Sequence, residues 1–161
     1  MNDLPEDWRE WYTANCREMI AKNGHMIQAV GANPGGGDPQ FAYTIGLTPV
    51  CGFEFAISGL PIEDMHNALN ALARKVQDEH MKPSDNLLVE GVFEPPCLPR
   101  LRPVDASHLD NFGWIKTVLG LPQMPPMWQA QYSTQDFKFP GDPGYHFDRT
   151  YQIDYSQPAA L

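Results

Sequence analysis

The residues able to do chemistry in this chain are few and scattered. Its five histidines are His25, His66, His80, His108 and His146. None forms an H-x-H or H-x-x-x-H pair, the spacings that put two imidazoles on one side of a strand or helix. His146-Phe147-Asp148 would set His146 and Asp148 on one side of a strand, with Asp142 close by. A third ligand from His25 or His66 would complete a nitrogen and oxygen site. The plainer reading is a solvated histidine on a turn, and no metal is expected. For nucleophilic catalysis there is no G-x-S-x-G elbow. Ser58-Gly59 stands where a strand should give way to a helix, but Ile57 precedes it, and a helix-capping serine is the expectation. The remaining chemistry is ligand binding. Tyr43 lies beside Thr44 on an aromatic-rich strand, and in a meander it could face His25 or Glu54. With Trp128 and the C-terminal aromatics these make a cleft of rings with a few polar tips. Tyr43 as a core residue with a satisfied hydroxyl is the competing reading. Glu54 interrupts an apolar strand between Phe53 and Phe55. It either faces solvent, which alternation favours, or is a buried acid with a raised pKa.

The elements that must position these groups are readable from spacing. Asp3, Pro5 and Glu6 form a capping-box start for a first helix. Leu4, Trp8, Trp11, Tyr12, Cys16 and Met19 fall on one face of it, which makes the three aromatics core anchors. Asn23-Gly24 reads as its C-cap. Residues 25–30, 41–47 and 53–58 read as three strands on short links, an antiparallel meander. The Gly35-Gly36-Gly37-Asp38 run lacks the Lys-[Ser/Thr] of a phosphate loop and reads as a hairpin connection. Pro61, Glu63 and Asp64 open a second helix striped by Ile62, Met65, Leu69, Leu72 and Val76 and ending near His80. Residues 86–93 read as a fourth strand with a bulge at Gly91. Residues 94–104 read as a stiff connection, with Arg100 and Arg102 solvated on it. Residues 107–119 read as a third helix weakened by Gly113, and residues 127–132 as a last strand. The segment 133–161 is aromatic and rich in turns.

The predicted fold is α+β: a mainly antiparallel sheet of about five or six strands with two or three helices packed on it. At 161 residues the chain suits one domain, able to bury roughly 70% of its unfolded surface without a disulfide or metal. Sixteen prolines and thirteen glycines call for many turns and short elements. Three distant cysteines, Cys16, Cys51 and Cys97, give neither a disulfide framework nor a zinc knuckle, and free thiols suit a reducing cytoplasm. The acidic N-terminus is not a signal peptide, and no apolar run reaches the ~20 residues a membrane helix needs. A net charge of −9 argues against nucleic acid and anionic membranes as partners. It suits a basic protein partner, as an inhibitor or immunity-like protein would have. A small molecule is the other candidate partner.

Several segments together resemble the bacterial family known as domain of unknown function 4262. They are Asn23-Gly24-His25, Phe41-Ala42-Tyr43-Thr44-Ile45-Gly46-Leu47, Phe53-Glu54-Phe55 with Ser58-Gly59-Leu60-Pro61, the helix from Asn67 to Ala73, and the ending from Gln157 to Leu161. Tyr-Thr-x-Gly-Leu is the most specific of these. The resemblance implies a small bacterial or phage cytoplasmic protein and brings no activity or cofactor with it. Tyr132 to Asp136 and Phe137 to Pro140 depart from the Trp-Pro-Asp and Gly-x-Phe-Pro-Trp stretches such chains usually carry, so a pocket shaped there would have different contents.

Overall fold

The computed structural model describes residues 7–32, 37–148 and 151–159. The proposed capping box at Asp3 and most of the glycine run lie outside them. The fold is α+β: a five-stranded, mostly antiparallel sheet with helices on both faces.

Helix α1 (Trp8–Asn23) ends at Gly24, whose left-handed backbone (φ 87°) lets its N–H reach Ile20 O. Strands β1 (Met26–Val30), β2 (Phe41–Ile45) and β3 (Glu54–Ser58) form the expected antiparallel meander, with Gln28 opposite Tyr43 and Tyr43 opposite Ala56. The short helix α2 (Thr48–Cys51) replaces a simple turn between β2 and β3. Helix α3 (Ile62–Glu79) begins at Pro61 and ends at His80 in the left-handed conformation. Strand β4 (Arg100–Pro103) forms the far edge, followed by a 3-10 helix (Ala106–Phe112), α4 (Trp114–Leu119) and β5 (Met127–Gln131). The sheet order is β1-β2-β3-β5-β4. β5 inserts parallel to β3 and antiparallel to β4, which the long crossover through α3 and α4 allows.

The fourth strand is therefore displaced from its expected place. Asn86 (φ 68°) and Gly91 (φ 80°) both leave the extended region, so the stretch between them makes one bridge, Leu88 to Arg100. The strand lies instead in the proline-rich connection. Pro99 and Pro103 fit there because their nitrogens fall on the row facing away from β5, where Leu101 N–H, between them, pairs with Leu87 O. The third helix also differs: it splits at Gly113 into the 3-10 helix and α4.

Alternation along the strands divides the core in two. On one face Met65, Leu69, Leu72 and Val76 of α3 pack over Ala42, Phe55, Ile57 and Leu101. On the other, Cys16, Phe112, Ile115 and Val118 pack over Met26, Tyr43, Ile45 and Ala56. Only part of the α1 aromatic face joins this core. Trp8 and Tyr12 meet Trp114 edge-on at 6.0 and 5.1 Å, while Trp11 is 67% exposed. The α3 stripe holds except at Ile62, which is exposed.

The tail crosses the sheet on side-chain hydrogen bonds. The Gln129 amide donates to Ile153 O and accepts from Tyr155 N–H, and Gln131 donates to the Asp154 carboxylate. The Gln152 amide in turn pairs with both backbone groups of Tyr132. Ser58 Oγ accepts from Ile153 N–H at 2.9 Å, so this serine anchors the tail and caps no helix. Gly59 (φ 89°) is required, since a Cβ there would meet Tyr151 O at 1.9 Å. Arg100 and Arg102 are also bound down. Arg100 donates to Gln131 and Pro140 O and pairs with Asp142, and Arg102 pairs with Asp85.

Candidate functional site

The most distinctive strand, Tyr43-Thr44-Ile45-Gly46-Leu47, closes around a carboxylate. Glu54 is 0% exposed, against the expectation that it faces solvent. The chain turns after β2 through α2 and Gly52, and this aims three consecutive N–H groups back at β3. Gly46 and Thr48 N–H donate to Glu54 Oε2 at 3.2 and 2.8 Å, and Leu47 N–H to Oε1 at 3.2 Å. Two hydroxyls, those of Thr44 and Thr48, complete the set. Thr44 Oγ1 also accepts from Phe55 N–H at 2.9 Å, so its own proton is free for the carboxylate. Burial pushes the Glu54 carboxyl above its ordinary range, and the hydrogen bonds from Thr48, Thr44 and the backbone oppose that rise.

Gly46 has a second task. Its backbone lies at φ 118°, and a Cβ there would come within 3.0 Å of Ile20 Cγ2 and 3.1 Å of His25 Cα. The glycine lets the start of β1 approach the end of β2 closely, and this sets His25 at the rim of a cleft. The cleft holds about 490 Å³ between the end of α1, the start of β1 and one side of α3. The helix contributes His66, Asn70 and Arg74 at i, i+4 and i+8, one row beside its buried stripe. Gln77 donates to Gly24 O at 3.1 Å and ties α3 to the α1 cap.

Three of these side chains form a continuous row. His25 Nε2 lies 2.8 Å from Asn70 Oδ1, and Asn70 Nδ2 lies 3.1 Å from His66 Nδ1. The amide therefore accepts from a protonated His25 Nε2 and donates to a bare His66 Nδ1. His25 is 9% exposed, and its Nδ1 is buried with no hydrogen-bond partner among the described residues. Such an atom calls for an explanation. A larger hollow, about 730 Å³, lies over Trp11, Asn15 and Met19. It is walled by one helix and brings no groups from different elements together.

The four residues expected to share a site do not converge. His25 lines the cleft. Tyr43 lies in the core on the other side of the sheet, edge-on to Phe112 at 5.2 Å. Its hydroxyl bonds to the Trp114 backbone, and burial pushes its pKa up. The cause is period-two alternation, which pairs Tyr43 with Gln28 and sends His25 toward Asn70 on α3. Glu54 is enclosed in its own turn. Trp128 is on β5 opposite Pro103, three strands from β1 or roughly 14 Å at ordinary ladder spacing. Of the C-terminal aromatics, Phe147 stacks on Tyr151 at 4.3 Å within the tail, whereas Tyr155 is buried in the same core as Tyr43, edge-on to Phe112 at 5.3 Å. Sequence reasoning named His66 only as a third metal ligand and passed over Asn70, Arg74 and Gln77. The signal that could have found them is the i, i+4, i+8 polar row. Asp142 is engaged by Arg100 and by Phe139 N–H. Among the described residues no group of three or more His, Cys, Asp or Glu could hold a metal ion. Nor is any helix among them long and apolar enough to cross a membrane.

No curated protein and no solved structure matches the chain. A family model described as "Domain of unknown function (DUF4262)" matches residues 19–146. That span takes in every cleft residue and the Glu54 turn, and it stops short of the Gln157 to Leu161 ending. The match covers most of the chain, and the protein belongs to the DUF4262 family.

Proposed function

We propose that this protein binds a small polar molecule in the cleft between α1, β1 and α3, beside the Tyr-Thr-x-Gly-Leu strand. His66, Asn70 and Arg74 are the recognition groups, and His25 backs them. One observation carries the reading: a nine-tenths buried histidine with an unpartnered ring nitrogen stands behind an ordered amide at a concave polar surface. Polar groups held in place ahead of binding lower the ordering cost a ligand must overcome. The cleft also lies within the stretch shared with the family. Whether the bound molecule is transformed is a separate matter, and binding is the function proposed.

The test is a ligand-observed NMR screen with small carboxylates, amides and sugars. Binders should be lost with Asn70→Ala and Arg74→Ala and kept with Tyr43→Phe, whose hydroxyl lies across the sheet. Binders indifferent to Asn70 and Arg74, or none in the screen, would overturn the assignment.

A second reading rests on Trp11, an exposed tryptophan beside the exposed Met19 on α1. Tryptophan is enriched among the residues that dominate protein interfaces, and a net charge of −9 would steer a basic partner toward the chain. Trp11→Ala should then abolish association with a basic protein at low salt and leave cleft binding intact.

A further inference from the structure

We infer that the His25–Asn70–His66 row is a proton-coupled relay that regulates the cleft. Its bearing on a ligand rests on the binding reading above, but the relay itself does not. The argument follows from donor and acceptor counts. In the structure the Asn70 amide presents Oδ1 to His25 and Nδ2 to His66. The first contact needs a proton on His25 Nε2, and the second needs none on His66 Nδ1.

A proton taken from solvent by His66 occupies Nδ1 and turns that atom from acceptor to donor. It then faces the Asn70 N–H₂ group, donor against donor. Rotating the amide by half a turn restores the contact, with Oδ1 now accepting from His66. The same rotation points Nδ2 at His25 Nε2, which must give up its proton to water. His25 regains a proton at Nδ1, the atom that is buried and unpartnered. The net change is one proton gained at His66 and a tautomer exchange at His25. No bond between heavy atoms changes. The exposed ring thus takes the proton, and the buried ring records it.

Among the described lining residues of this cleft the charged groups are Arg74 and Asp78, both on α3. The lining residues from α1 and β1, Met19, Asn23, Met26 and Ile27, carry no charge. For a ligand the consequence is direct. Amide rotation exchanges the donor and acceptor that Asn70 directs toward its neighbours, so a molecule that fits one state misfits the other.

The experiment uses the unliganded protein with ¹⁵N-labelled histidine. Long-range ¹H–¹⁵N spectra are recorded from about pH 8 to about pH 5. The expected result is that His25 moves from the Nε2–H to the Nδ1–H form at the same midpoint at which His66 becomes charged. His66→Ala, which removes an exposed ring, should leave His25 as the Nε2–H form throughout. His25 signals that stay constant while His66 titrates would overturn the relay, since His66 would then swing into solvent and leave Asn70 unmoved. An exchange at His25 that persists in His66→Ala would overturn it too. A shared midpoint combined with an empty ligand screen would uphold the relay and sink the binding proposal alone.

Discussion

The Glu54 turn and the His25 cleft lie on either side of Gly46, and both bury a titratable side chain. They treat it in opposite ways. Glu54 is met by five donors, three from the backbone and two from hydroxyls. His25 has one amide contact and one buried ring nitrogen with no hydrogen-bond partner among the described residues. The first arrangement is closed, with its donors supplied by the chain next to it in sequence. The second is assembled from α1, β1 and α3 and is left incomplete. A fully satisfied buried polar group fixes a conformation, whereas an incompletely satisfied one is a place where something else can act. The distinctive strand thus builds the scaffold, and the more open chemistry sits beside it.

Removing the centre of the closed arrangement should have the largest effect. Glu54→Ala leaves buried N–H and O–H donors without an acceptor and should cost on the order of 3–5 kcal/mol. This would be read from the urea midpoint, and retention of wild-type stability would show that the donors repartner easily. Gly46→Ala comes next, at about 2–4 kcal/mol, because it combines a strained φ with contacts on Ile20 and the His25 backbone. It should disturb both regions, so amide hydrogen exchange should rise at residues 46–48 and also at 25–27. Exchange confined to one of them would separate the two. Tyr43→Phe is smaller, about 1 kcal/mol for the lost hydrogen bond to the Trp114 backbone, with no effect on the cleft.

The smallest effect is a pH dependence with a definite sign. Burial raises the Glu54 carboxyl above its unfolded value, so the folded protein holds the proton where the unfolded chain has released it. Stability should therefore fall as pH rises from the ordinary carboxylate value to the raised one. Glu54→Gln should lack that segment of the urea-midpoint profile. A wild-type profile that rises through the same window would mean that the five donors outweigh burial.

The sequence made the scaffold legible where local rules govern it. The α1 cap at Gly24, the three-strand meander, the α3 stripe and β5 all follow from periodicity and turn chemistry. It misled where edge position overrides composition: prolines that argue against a central strand are tolerated at β4, and Asn86 and Gly91 dismantle the strand expected before it. Of the candidate cleft, only His25 was legible as a binding residue. Tyr43, Glu54 and Trp128 are separated by sheet face, by the enclosing turn and by strand order, and none of these can be read from adjacency. The order β3-β5-β4 depends on a crossover whose landing point is set by packing. Asn70 and Arg74 could have been found, since they continue a polar row from His66.

The glutamines that hold the tail have one more consequence. Gln129, Gln131 and Gln152 use side-chain amides where a sixth strand would use peptide groups. Alignment of the tail thereby rests on side chains, these three amides together with the Ser58 and Tyr132 hydroxyls, and does not depend on continuous pairing along the backbone. An exchange such as Gln129→Leu would remove both the donor to Ile153 O and the acceptor of Tyr155 N–H, loosening one anchor of this seam while Ser58, Gln131 and the buried Tyr155 ring still hold it.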